Sequence, residues 1–143
     1  MSKERPDHHD AEIVLKLYDL RREPVMRASR DVITAKFWPK SFDELIAITK
    51  PDHAMNAAWR QVTSYWEVAY SFVKHGAIHA ELSMESLGEG LIPYVKVERW
   101  LPQYREQTSQ LAFKNAEWIV ANTERGKALL PLFKKRFAPQ LGG

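Results

Sequence analysis

Apolar residues at the start of the chain recur at helical spacing. Ile13, Leu17 and Leu20, flanked by Val14 and Tyr18, form one stripe on a helix that opens at Asp7 or His8. Pro24 then breaks the pattern. Because proline lacks an amide donor and disfavours helical geometry at Glu23, either the helix kinks or a second one starts with Pro24 in its first turn. Val25, Met26, Ser29, Val32, Ile33 and Phe37 carry the stripe onward in both cases. Trp38-Pro39-Lys40 stops it, and Ser41 with Glu44 has the spacing of a capping box for a short helix through Ile48. After the break at Lys50-Pro51-Asp52 comes the clearest element, Met55 to Lys74. Trp59, Val62, Trp66, Ala69 and Val73 recur there at alternating three- and four-residue steps, and Tyr65, Val68 and Phe72 widen the stripe.

His75-Gly76 ends that helix, since glycine adopts the left-handed conformation of a C-terminus most easily. Ala77 to Leu87 reads as a shorter helix, and Gly88-Glu89-Gly90 as a hinge before Leu91, Ile92, Val95, Val97, Leu101 and Tyr104, where Pro102 bends or restarts the helix. Leu111 to Val120 is the next, and Asn122-Thr123-Glu124 caps a last segment containing Leu129, Leu130, Phe133 and Phe137, with Pro131 blurring its start. No run of alternating β-branched residues bounded by turns argues for a sheet. The pattern predicts an all-α fold, an irregular antiparallel helical bundle of about six to seven helices. It forms one domain over residues 1–143, with 1–7 and 139–143 as flexible ends.

Composition supports a chain that folds alone. Of 143 residues 45% are hydrophobic, among them five Trp, five Tyr and six Phe, enough for a core without staples. Cysteine is absent, which removes disulfides, thiolate metal sites and thiol nucleophiles together. Residues 1–10 contain no apolar stretch of signal-peptide or membrane-spanning length, so the expected location is the cytoplasm, with no membrane partner. The net charge of +3 comes from 21 basic and 18 acidic residues that are interspersed, a weak argument for a polyanionic partner.

Candidate chemistry falls into three groups. Trp59, Trp66 and Tyr70, with Tyr65, are aromatic groups of the kind that line ligand pockets, although helical spacing alone assigns them to the core. Arg60 and Glu67 share a flank of the same helix, and if buried need partners, for which Arg99 and Glu98 are candidates. His75, His79, Glu81 and Glu85 are metal-ligating types at near-helical spacing, but Gly76 interrupts the geometry that would aim them at one ion. His8, His9 and Asp10 suit a helix amino end better than a metal. Arg21, Arg22, Arg27 and Arg30, with Lys134, Lys135 and Arg136, form the basic set that would touch nucleic acid, yet Asp19, Glu23 and Asp31 interrupt it and weigh against that partner. No phosphate loop, nucleophile motif or cofactor signature occurs, so no cofactor is expected.

The stretches HDAEIVLKLYDLRREPVMRASRDVI at 9–33, WRQVTSYWEVAYSFVKHGAIHAELS at 59–83 and YVKVERWLPQYRE at 94–106 resemble small bacterial helical proteins known only as domains of unknown function. The resemblance implies a helical fold and transfers no active site. The expectation is a non-enzymatic module that acts through protein association, including self-association into a homo-oligomer, with Trp38, Phe42, Trp100 and Trp118 as candidates for an exposed apolar patch. The alternatives are a small-molecule pocket around Trp59, Arg60, Trp66, Glu67 and Tyr70, and a nucleic-acid accessory protein.

Overall fold

The computed structural model describes residues 4–142, and among them every regular element is a helix. They run α1 (His8–Arg21), α2 (Pro24–Asp31), α3 (Phe42–Ala47), α4 (Asn56–Lys74), α5 (Ala80–Met84), α6 (Leu91–Val97), α7 (Leu101–Gln107), α8 (Lys114–Asn122), α9 (Glu124–Arg136) and α10 (Ala138–Leu141). The count exceeds the six or seven expected because prolines and local caps divide segments that read as continuous. Pro24 occupies the first turn of α2 behind an extended Glu23, whose carboxylate accepts from the Met26 amide. Pro102 likewise restarts the chain as α7 after a short turn at Glu98–Trp100. Pro131 does the reverse of what its chemistry suggests and lies inside α9.

Local chemistry fixes most ends. Asp7 caps α1 while the carboxylate of Asp10 takes the Asp7 amide at 2.8 Å, a reciprocal box of aspartates. Ser41 caps α3 through the Glu44 amide, but the Glu44 carboxylate reaches Lys40 rather than Ser41. α4 closes with Gly76 at φ 74°, the Gly76 amide bonding Val73 and the Ala77 amide bonding Phe72, which is a Schellman ending. The helix expected over 77–87 shrinks to five residues because His79 is extended and acts as the cap of α5, its own amide donating to buried Asp10 Oδ1 at 2.8 Å.

α4 is the central element, packed on α2 along one side and α8 along another, while α9 lies against α8 and α6. Trp59, Val62, Trp66, Ala69 and Val73 all face the core, as does Tyr70, whereas Val68 is exposed. Gly88–Gly90 is a tight 3-10 turn, not a hinge. A β-carbon on Gly90 would stand 2.5 Å from Tyr70 Oη and 2.6 Å from the Trp66 ring, so only glycine lets this backbone reach α4. Glu89, between the glycines, grips Arg30 through two hydrogen bonds of 2.6 and 2.7 Å and so ties the turn to α2.

Asp7 is held in the α1 cap and Pro139 to Leu141 lie in α10, which contacts α9. Residues 1–3 and 143 lie outside the described residues. No described helix is long and apolar enough to cross a membrane.

Candidate functional site

The aromatic residues of α4 are structural members of the core. Trp59 Nε1 donates to Tyr104 Oη at 3.0 Å, its ring meets Phe37 edge-on at 5.1 Å, and Tyr70 Oη donates to Leu87 O at 2.6 Å. Trp66 is equally buried but its Nε1 makes no hydrogen bond. Neither Trp66 nor Tyr70 lines the crevice that Arg60 and Glu67 border without pairing, a recess of about 380 Å³ also lined by Thr63, Ser64, Tyr104 and Phe113. Arg60 is exposed on its rim.

Glu67 has a different partner from those expected of it. Its carboxylate accepts from the amides of Asn115 at 3.0 Å and Ala116 at 2.9 Å, while its own carbonyl takes Asn115 Nδ2 at 2.9 Å. These amides belong to the first turn of α8, whose own cap position holds Phe113, a residue with no capping group. α4 therefore supplies the cap that α8 lacks, and a carboxylate suits the positive end of the helix. Burial pushes the Glu67 carboxyl above its usual range, partly opposed by the two amides. Glu98 pairs with Lys134 at 2.6 Å, and Arg99 lies over Trp100 and donates to Pro39 O. Glu67→Ala should cost about 1–3 kcal/mol, read by chemical denaturation, and should speed hydrogen exchange at the amides of Asn115 and Ala116 well before other α8 amides. Unchanged exchange there would detach Glu67 from the helix start.

The histidine and carboxylate set does not converge. His75 is exposed beyond the end of α4, and His79 Nδ1 is occupied by the Leu82 amide at 3.1 Å. Glu81 on α5 and Glu85 just past its end are exposed, and with His79, Glu4 and Glu124 they border an open groove of about 810 Å³. Among the described residues no three His, Asp or Glu are grouped so as to hold a metal ion.

The basic set is divided between internal ties and solvent. Arg21 is buried, donates to Ser86 O at 3.0 Å and lies 5.2 Å from the Tyr18 ring and 5.4 Å from that of Trp66. Arg30 holds Glu89 and also reaches Arg21 O. Arg27 donates to Arg22 O, Lys134 pairs with Glu98, and Arg136 lies over Phe133. Arg22, with its guanidinium 5.9 Å from the Tyr18 ring, and Lys135 are exposed.

An open apolar surface lies elsewhere than Trp38, Phe42, Trp100 and Trp118: Phe42, Trp100 and Trp118 are partly buried against the core, and the half-buried Trp38 ring lies 5.2 Å from that of Phe137. It is a groove of about 460 Å³ between α1 and α4, floored by Leu17, Met26 and Tyr65 and walled by Leu20 and Val68. Those two walls are 50% and 51% exposed, an apolar surface left to solvent. Lys16 of α1 and Glu23, the cap of α2, border it on one side, and Gln61 and Ser64 on the α4 side. Its signal in the sequence is the α1 stripe itself, whose Leu20 is half exposed on the groove instead of packed in the core.

These features define an all-α domain whose aromatic residues are spent on the core and whose open apolar surface is a groove between its first and longest helices. The chain belongs to the family described as Domain of unknown function (DUF4760), which it matches over residues 6–123. No curated protein and no solved structure matches it. The family match stops just before α9, although Leu129 and Phe133 of that helix belong to the same buried cluster.

Proposed function

We propose that this domain is a non-enzymatic interaction module, an irregular antiparallel helical bundle acting in the cytoplasm, and that it associates with a second copy through the α1/α4 groove. The observation that carries this reading is the groove itself, with half-exposed Leu20 and Val68 over an apolar floor. Charge placement favours a second copy over another partner. Lys16 on α1 and Glu23, the α2 cap that gives one carboxylate oxygen to the Met26 amide, border the groove on either side of Leu20 in the chain, so a two-fold axis near Leu20 sets each Lys16 opposite the Glu23 of the other copy. The four side chains then form two symmetric ion pairs around an apolar centre, the arrangement of a small isologous interface. A stable dimer buries about 800 Å² per partner, and a surface centred on two half-exposed side chains favours a weaker, reversible association.

Sedimentation equilibrium tests it. The native protein should dimerise reversibly. Val68→Asp, at an exposed position that should leave the helical circular-dichroism spectrum unchanged, should be monomeric, and Lys16→Glu should weaken the dimer about tenfold by facing like charges. A native protein that stays monomeric at hundreds of micromolar, or a Val68→Asp variant that dimerises as well as the native chain, would count against the reading.

A further inference from the structure

On the other flank of α4, away from the α1/α4 groove, the chain forms a polar recess of about 360 Å³ between the start of α4 and the end of α7. Its floor is Asn56, Trp59 and Tyr104, all buried, and its rim carries Lys50, Arg60 and Gln107, all exposed. No carboxylate lines it. Lys50 and Arg60 make no ion pair among the described residues, so two cations face a recess with no anion of its own.

The floor adds an observation independent of that charge. Tyr104 is 6% exposed, and its hydroxyl accepts from Trp59 Nε1. Its own proton then has no acceptor among the described residues, a costly condition for a buried donor unless something in the recess accepts it. A phenol keeps that proton at neutral pH, and burial raises the Tyr104 pKa further. Thr63 and Thr108 turn their hydroxyl protons back onto the carbonyls of Trp59 and Tyr104, leaving their oxygens as acceptors. The recess also opens at the amino end of the 19-residue helix α4, whose cap position, Met55, offers no side-chain acceptor. A helix start of this kind favours negative charge.

We infer that this recess binds a small ligand bearing a tetrahedral oxyanion, a phosphate group above all, held by Arg60, Lys50 and the Tyr104 hydroxyl. The guanidinium fork and the ammonium meet the charge, and the phenol proton takes a further oxygen. The threonine oxygens suit hydroxyl groups on the rest of the ligand. The site shares none of the residues that line the α1/α4 groove and is independent of association through it.

The experiment is a titration of the intact chain with inorganic phosphate, followed by amide and indole nuclear magnetic resonance at constant ionic strength. The Trp59 indole proton is the internal reporter, because its acceptor is the hydroxyl that the ligand would polarise. The expected result is saturable shifts at the Trp59 indole and at Asn56 and Arg60, with a Kd on the order of millimolar, weakened about tenfold in Arg60→Gln and in Lys50→Gln. Glycerol phosphate in a parallel titration separates the two sources of the same chemistry. Tighter binding than inorganic phosphate assigns the recess to a phosphate ester, and equal binding assigns it to the free ion. Shifts that never saturate, that spread over all surface cations, or that persist unchanged in folded Arg60→Gln overturn the inference.

Discussion

Lys96→Met should lower the free energy of unfolding by about 2–4 kcal/mol, one of the two largest losses expected from a single side chain in this protein. Lys96 is 1% exposed on α6, and its ammonium has no carboxylate among its hydrogen-bond partners. Instead Nζ donates to the carbonyls of Ile33, Phe37 and Thr34 at 2.5, 2.7 and 3.2 Å, with the Trp38 ring centroid 3.7 Å away. These carbonyls lie where α2, after a π-helical turn at Val32–Lys36, runs out of intrahelical donors. The ammonium thus closes the negative end of that helix from a different part of the chain. Methionine keeps the apolar stem but strands the buried carbonyls of Ile33 and Phe37, each costing about 1–3 kcal/mol, offset in part by no longer burying a charge. A variant as stable as the native chain would mean that the two effects cancel.

The same residue sets a pH dependence. Burial pulls the Lys96 ammonium from its ordinary value down to about 7, against the carbonyls and the Trp38 face that hold its proton. Between pH 7 and the unfolded lysine value of about 10.4, the unfolded chain binds a proton that the folded chain releases. Stability should therefore rise with pH across that window, by at most about 1.4 kcal/mol per pH unit, and this slope should vanish in Lys96→Met. Tyr65 and Tyr94, pushed up to about 12 by burial, act oppositely once unfolded tyrosines begin to ionise near 10. Denaturation at pH 7, 8 and 9 isolates the lysine. A native slope identical to that of the variant would place the ammonium's pKa near its normal value.

Phe113→Ala should cost about 3–5 kcal/mol, and Phe113→Gly about 1 kcal/mol less than alanine. Phe113 stands at φ 60°, the one non-glycine residue with positive φ among the described residues, immediately before α8. L side chains disfavour that region by roughly 1–2 kcal/mol. The ring offsets this by packing among Trp59, Tyr94 and Tyr104, with centroids 5.9, 6.3 and 5.8 Å away. Alanine loses the packing and keeps the strain, whereas glycine loses the packing and releases the strain. Paired denaturation curves give the order. Alanine equal to or better than glycine would mean that the turn relaxes once the ring is gone.

What could be read in the sequence follows the range of the forces involved. The α4 stripe was legible because burial of Trp59, Val62, Trp66, Ala69 and Val73 repeats with the helix period, and the Gly76 ending and Thr123 start use local chemistry. Pro24 and Pro102 left two outcomes open, and in both places a new helix begins. Pro131 misled because a helix held by buried Leu129 and Phe133 tolerates the lost amide. The long-range ties had no local mark. Glu67 reaches residues 115 and 116 across the fold, and Lys96 reaches 33, 34 and 37. The one mark Lys96 leaves in the sequence is a charge inside the apolar run Leu91 to Val97, all of it buried. The partners of the Arg60 recess come from α4, α7 and the turn after α3, so spacing along α4 placed Arg60 beside Glu67 but could not supply Tyr104 or Lys50.

The borrowed cap on α8 also orders events in time. Short isolated helices nucleate poorly in water, and α8, nine residues long, begins at a left-handed phenylalanine instead of a capping residue. Its first turn gains its anchor only when α4 is already present to offer Glu67, 48 positions earlier. α4 has the length and apolar stripe to form early, and α8 with the α9 that packs on it should condense onto that template in a later, cooperative step.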